Sequence, residues 1–171
     1  MNARNQGRRP IQGRLKPPPV GVSFLVSQVG AFAAMGFAKR LATLNLKVYD
    51  AGILRMLGSN PGLTQQALSK LLGVFPSQLV RLLDTLEERK LVERRDTPGD
   101  RRRYQLHLTA KGRAVLARIG ELTAELERDL FAGLSERERT LVQRLLTRVV
   151  AQQRITPGVH PAYKQLGRKR A

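Results

Sequence analysis

Cysteine and tryptophan are both missing from the 171 residues. Without a thiol there is no disulfide framework, thiolate nucleophile, thiol redox sensor or sulfur-ligated zinc site. Histidine is nearly as scarce: His107 and His160 are the only two, too few for a histidine-rich metal centre. No metal and no cofactor is therefore expected. No Ser-His-acid set, phosphate-cradling glycine loop or metal-ligand cluster is legible either, which ranks an enzyme last among the function classes. Acid is the other deficit, since 13 Asp and Glu face 31 Lys and Arg, a formal charge of +18. A small soluble domain usually carries a charge of magnitude about 2 to 8, so a polyanionic partner is the first expectation. Residues 1–16 and 154–171 each hold five bases and no acid, so ten of the eighteen net charges sit in two tails.

A long uncharged apolar run is present only near the N-terminus. Arg4, Arg8, Arg9, Arg14 and Lys16 precede Val20 to Ala38 in the outline of a signal peptide. Pro17-Pro18-Pro19 separates the basic part from the apolar one, and Ser23, Ser27 and Gln28 dilute the run, which reads as short of the roughly 20 apolar residues of a spanning helix. The chain is read as cytoplasmic, with no membrane partner.

At 42% hydrophobic residues the rest suits one globular domain with a sizeable core. Residues 1–19, rich in Arg, Pro, Gly and Gln, are expected to form a disordered arm. Ser23 is the expected cap of a long helix running from Phe24 to about Leu44. On it Gly30, Ala34 and Ala38 make a small-residue stripe that suits close helix packing, within the subunit or between subunits. A short helix follows around Tyr49 to Leu57, ended by Gly58 and the Asn60-Pro61-Gly62 turn. Thr64 then caps a third helix carrying Leu68, Leu71 and Leu72 and closed by Gly73.

The sharpest element comes next. Pro76 opens a helix whose Leu79, Leu82, Leu83 and Leu86 form one apolar stripe, while Ser77, Gln78, Arg81, Asp84 and Thr85 occupy the other face. A helix, a glycine turn and a second helix with a polar, arginine-bearing N-terminal half is how a helix-turn-helix presents side chains to a major groove. Beyond it, Leu91–Arg95 and Tyr104–Leu108 alternate around a stretch of turn formers, Asp96 to Asp100, and predict a hairpin. Arg94, Arg95, Arg101, Arg102 and Arg103 flank its tip. Protection of a sheet edge accounts for some of these arginines, but five around one turn suit phosphates and a narrow minor groove better. Thr109 caps a long helix to about Phe131, and Ser135-Glu136-Arg137-Glu138 is a capping box for a last helix to about Gln153. Their apolar stripes fit either a monomeric helical core or a dimer interface.

The stretch from Leu46 to Gly112 resembles the winged-helix core of the multiple antibiotic resistance regulator (MarR) family. The likeness is carried by LTQQALSKLLGV (63–74), DTLEERKLVERR (84–95), Asp100-Arg101-Arg102 and Leu108-Thr109-Ala110-Lys111-Gly112, in that order. It implies a mainly α fold, a winged helix-turn-helix with a small β-hairpin wing and an all-helical dimerisation region from the N- and C-terminal helices. It assigns residues 47–109 to the DNA-binding domain, 20–46 and 110–153 to dimerisation, 1–19 to the arm and 154–171 to a basic C-terminal tail. It further implies a homodimer on double-stranded DNA with a pseudo-palindromic operator, a repressor's role, and release by a small aromatic or phenolic ligand held between the dimer helices and the winged domain.

Carried over to this sequence, the resemblance places Pro76, Ser77, Gln78, Val80 and Arg81 on the recognition helix and Arg94, Arg95, Asp100, Arg101, Arg102 and Arg103 on the wing. Arg81 is the expected guanine reader, and Arg102 the minor-groove and phosphate contact with Asp100 as its orienting carboxylate. Phe32, Met35, Tyr49 and Met56 are the expected pocket residues. Three positions depart from the family pattern. Phe75 replaces a small polar helix cap and is expected to anchor the turn by its apolar ring; Val80 replaces a hydroxyl residue; Lys90 replaces a glycine, so the helix end before the wing is expected to shift. Lack of cysteine removes the family's peroxide-sensing branch, and the two histidines argue against its zinc-sensing one. A different class remains beside the regulator: an architectural protein that coats DNA with little sequence preference, motivated by the charge of the two tails.

Overall fold

The computed structural model describes residues 18–97, 100–160, 162, 163 and 166, and at residues 97 and 100–103 only the backbone. The expected arm, residues 1–19, thus lies almost wholly outside the described residues. Among the described residues six helices and three strands follow in the order α1 (Val22–Ala42), α2 (Val48–Ser59), β1 (Leu63–Thr64), α3 (Gln65–Leu72), α4 (Pro76–Glu88), β2 (Val92–Thr97), β3 (Asp100–Leu108), α5 (Ala110–Leu130) and α6 (Glu136–Gln152). The fold is mainly helical with a small antiparallel sheet, as the resemblance implied.

Three of the six described helices start at a residue whose side chain caps them. The Thr64 hydroxyl accepts from the Ala67 amide at 3.2 Å, Thr109 from Gly112 at 2.9 Å, and Ser135 and Glu138 complete their capping box. Helix α1 is different. Ser23 lies inside its first turn, and the N-cap is Gly21, whose carbonyl accepts from the Phe24 and Leu25 amides without a side-chain cap. The helix therefore begins two residues earlier than Ser23 capping predicts. Its 21 residues are also long and apolar enough to cross a membrane, judged by length and composition alone. The expectation of too short a run is corrected: Ser23, Ser27 and Gln28 do not offset the aliphatic and aromatic residues around them.

Helices α2, α3 and α4 enclose the core, where Ile53, Leu54, Leu57, Leu68, Leu72, Leu79, Leu83 and Leu86 are buried with Leu41 of α1 and Ile119 of α5. Burying each such side chain contributes about 1.5–3 kcal/mol. The α3–α4 turn is made by Gly73, left-handed at φ +65°, and its buried Ser69 hydroxyl donates to the Val74 carbonyl at 2.7 Å. Phe75 does not anchor this turn. Val74 is the buried residue there, and the Phe75 ring is 60% exposed, because the turn has room inside for one apolar side chain and the preceding residue takes it.

The sheet has the order β1-β3-β2. The two-residue strand β1 was not expected; it pairs Leu63 with Leu106 and Thr64 with Gln105, closing the sheet onto the loop before α3. In the hairpin, Val92 faces Leu108, Arg94 faces Leu106 and Asp96 faces Tyr104, and the register is irregular between Asp96 and Thr97. Helix α5 leaves the sheet through a close approach at Gly112, where a Cβ would lie 1.9 Å from the Leu91 carbonyl oxygen. Any side chain there would push α5 off the sheet.

Lys90 adopts a left-handed conformation, φ +57°, the region that favours glycine. The Lys90 amide donates to Glu87 and the Leu91 amide to Leu86, at 2.8 and 2.9 Å, which closes α4 as a Schellman motif. A lysine there carries strain of about 1 kcal/mol that glycine does not. Lys90→Gly is therefore expected to raise the melting temperature by about 2–4 °C; an unchanged or lower midpoint in thermal denaturation would show that the lysine is relaxed.

Two regions depart from a closed globule. Helix α6 buries no residue, and Leu141, Leu145, Leu146 and Val149 are all exposed. Along α1, Val22, Phe24, Leu25, Val26, Val29, Phe32 and Met35 are exposed as well. The C-terminal segment, by contrast, is not a plain basic tail. After left-handed Arg154 and Gly158 it turns back, and it buries Val159 and Tyr163 in the core with Leu166 packed beside them. Apolar contact outweighs its charge as far as Leu166.

Candidate nucleic-acid interface

Helix α4 has 13 residues, and burial of Leu79, Leu83 and Leu86 fixes its rotation. The exposed line is then Ser77, Arg81, Thr85 and Glu88, spaced about one turn apart. Pro76 is exposed at the first turn. Gln78 and Val80 flank the line and are half-buried on opposite sides. Of the expected recognition residues, Ser77 and Arg81 thus share the open face. Gln78 turns sideways, and its amide donates to the Leu166 carbonyl of the C-terminal segment.

The wing is fastened to the other flank. Arg94 follows Val92 by two on β2 and therefore shares its inward face. From there its guanidinium donates to Asp84 at 2.7 Å and also to Glu87, both on α4. With 22% of its side chain exposed, Arg94 acts as a clamp between helix and wing and has no donor pair turned to solvent. That separates it from Arg95. Arg95, on the outer face, is 58% exposed and bonds Glu93 of its own strand. Asp100, Arg101, Arg102 and Arg103 start β3 beside it, so the backbone brings them to the same hairpin end; the tip, Pro98-Gly99, lies outside the described residues.

Behind α4, Arg89 donates to the carbonyls of Leu44 and Asn45 at 3.1 and 2.8 Å, tying the helix to the α1–α2 link. Next to this link lies a cleft of about 710 Å³ between α1, α2 and the C-terminal segment. Ala34, Phe37 and Ala38 of α1 line it, with Lys47, Tyr49 and Arg55 of the α2 region and His160 and Tyr163 opposite. Tyr49 is the one expected pocket residue in this lining. Phe32 and Met35 point away, 66% and 72% exposed, and Met56 packs against the core near Gly158. Tyr163 was not foreseen. Its ring meets Tyr49 edge-on at 5.4 Å and its hydroxyl donates to the Tyr49 carbonyl at 2.7 Å. Burial above all, then Asp50 and Tyr49 nearby, raises its pKa well above the ordinary phenol range, so it stays a donor. The spacing Val159, Tyr163, Leu166, at i, i+4 and i+7, was the signal available in the sequence.

The winged core can now be set beside known proteins. Residues 44–103, from the α1–α2 link into the second wing strand, match the MarR family model. A putative transcriptional regulatory protein for the hcr operon of Thauera aromatica is 41% identical over 106 residues, 62% of this chain. The chain spans 64% of that relative's length. Over this winged core the chain is similar to the MarR family.

Among solved MarR structures the likeness extends to the flanking helices. A MarR family protein of Mycobacterium tuberculosis, Rv2887, in complex with salicylic acid superposes with a TM-score of 0.63 at 26% identity, covering 77% of this chain and 98% of its own. An E. coli MarR variant complexed with operator DNA gives 0.64 at 25%, covering 75% and 93%.

Proposed function

We propose that this chain is a cytoplasmic transcription regulator of the MarR family that binds double-stranded DNA as a homodimer, represses by occupying a pseudo-palindromic operator, and is released by a small aromatic ligand. The observation that carries the DNA reading is the open line Ser77–Arg81–Thr85 on α4, held at a set position from a basic hairpin by the Arg94 clamp. In this reading Ser77 and Arg81 face the major groove, and Arg102 and its neighbours meet phosphates and the minor groove. The homodimer is supported by the apolar faces that α1 and α6 leave uncovered. Relief by an aromatic anion is supported by the cleft, where Tyr49 and Phe37 offer ring contacts and Lys47, Arg55 and His160 offer positive charge or donors, and by the salicylic acid complex of the mycobacterial relative.

Selection of binding sites from random duplexes at physiological salt tests the proposal. A dyad-symmetric motif with half-sites about one helical turn apart, bound roughly a thousandfold more tightly than scrambled DNA, is the expected outcome. Tight but strongly salt-dependent binding without an enriched motif would instead assign the +18 charge to an architectural role.

A further inference from the structure

The contact between Gln78 and the C-terminal segment leads further. Helix α4 begins without help from its cap residue, because Phe75 offers no side-chain acceptor and Pro76 no amide. Its first turn is closed by the Gln78 and Leu79 amides on the Phe75 carbonyl, at 3.0 and 3.1 Å. The one described side-chain bond from this turn is that of Gln78 to the Leu166 carbonyl. Three residues upstream, Tyr163 walls the cleft, 3% exposed, in a slot that exists only because position 52 is glycine: a Cβ there would lie 1.9 Å from the tyrosine oxygen and 2.8 Å from the ring.

We infer that residues 155–160, with Tyr163 and Leu166 beyond them, act as a strap that steadies the first turn of the recognition helix, with Tyr163 as its anchor in the cleft and Gln78 as the positioning residue on α4. Seated, the strap keeps Gln78 off the DNA-facing line and holds the N-terminal turn that presents Ser77 and Arg81. Unseated, it frees the turn to fray, since no side-chain cap and, among the described residues, no second side-chain tether replaces it. Cleft and recognition helix are thereby joined through the chain's own C-terminal residues. The consequence for DNA rests on the function proposed above, whereas the steadying of the turn does not.

Gly52→Ala evicts the tyrosine while keeping α2 a good helix, and Gln78→Ala cuts the other end. Hydrogen exchange at the Gln78 and Leu79 amides is expected to speed up about fivefold or more in both variants, with the double variant no faster than either single one. Affinity for the selected operator is expected to fall by a similar factor, with scrambled DNA unaffected. Displacement of the Tyr163 ring in Gly52→Ala, seen as a change in the near-ultraviolet tyrosine signal, with wild-type exchange at both amides would overturn the strap. A Tyr163→Ala chain that folds and keeps wild-type exchange would do the same. If the unaltered chain selects no operator, the DNA reading fails while the exchange rates still decide the strap.

Discussion

Replacing Arg81 by alanine is expected to cost at least about 30-fold in preference for the selected operator over scrambled duplex DNA, while affinity for the scrambled duplex changes little. Arg81 stands in the middle of the exposed line of α4, and among the described residues its guanidinium has no acidic partner. Its donors are free for a base edge, unlike those of Arg94. A two-pronged arginine contact to guanine is worth about 1–3 kcal/mol of discrimination, and a dimer makes it twice, so about 2–6 kcal/mol is at stake. Arg102→Ala should behave in the opposite way, weakening both duplexes alike and flattening the salt dependence, because phosphates carry no sequence. Competition binding at two salt concentrations separates the two patterns. Equal losses on both duplexes from Arg81→Ala would remove it from base readout.

The second large effect concerns assembly. Leu145→Glu combined with Val149→Glu, one turn apart on α6, is expected to convert a dimer into a monomer at micromolar concentration in analytical ultracentrifugation. Neither position is buried in the single chain, where Leu145 is 45% and Val149 52% exposed, so their cost to the subunit's own stability is within about 0.5 kcal/mol. Two carboxylates in a desolvated interface cost far more. Losing the partner also loses simultaneous engagement of two half-sites, so operator affinity should drop about 10²- to 10⁴-fold with the winged domain still folded. A wild-type chain that sediments as a monomer would refute the dimer outright. So would a double variant that keeps the dimer mass.

The helix starts at Thr64, Thr109 and Ser135, the leucine stripe of α4 and the hairpin were legible because each is specified locally, by a cap, a period of 3.6 or an alternation. What the sequence hid depends on partners distant along the chain. The inward turn of Arg94 is set by Val92 two residues earlier, but its role appears only when Asp84 and Glu87 arrive from α4. Helix α1 is apolar nearly all round, so periodicity could not choose which stripe faces the cleft. Phe32 and Met35 fit that choice as well as Phe37 does, and the structure selects the last. Strand β1 is two residues long, too short for any pattern. In residues 154–171 the density of charge drew attention away from Val159, Tyr163 and Leu166.

The Arg94 clamp fixes more than a local contact. Because one guanidinium spans two carboxylates on α4 while its own strand carries the hairpin, helix and wing tilt together as a single reading head. The offset between what the helix reads and what the wing touches is then a constant of the subunit, like the gap between two teeth of a key. In the proposed dimer, operators that differ in the distance between half-sites are then expected to be met by movement of one subunit against the other, and those that differ within a half-site not by movement at all.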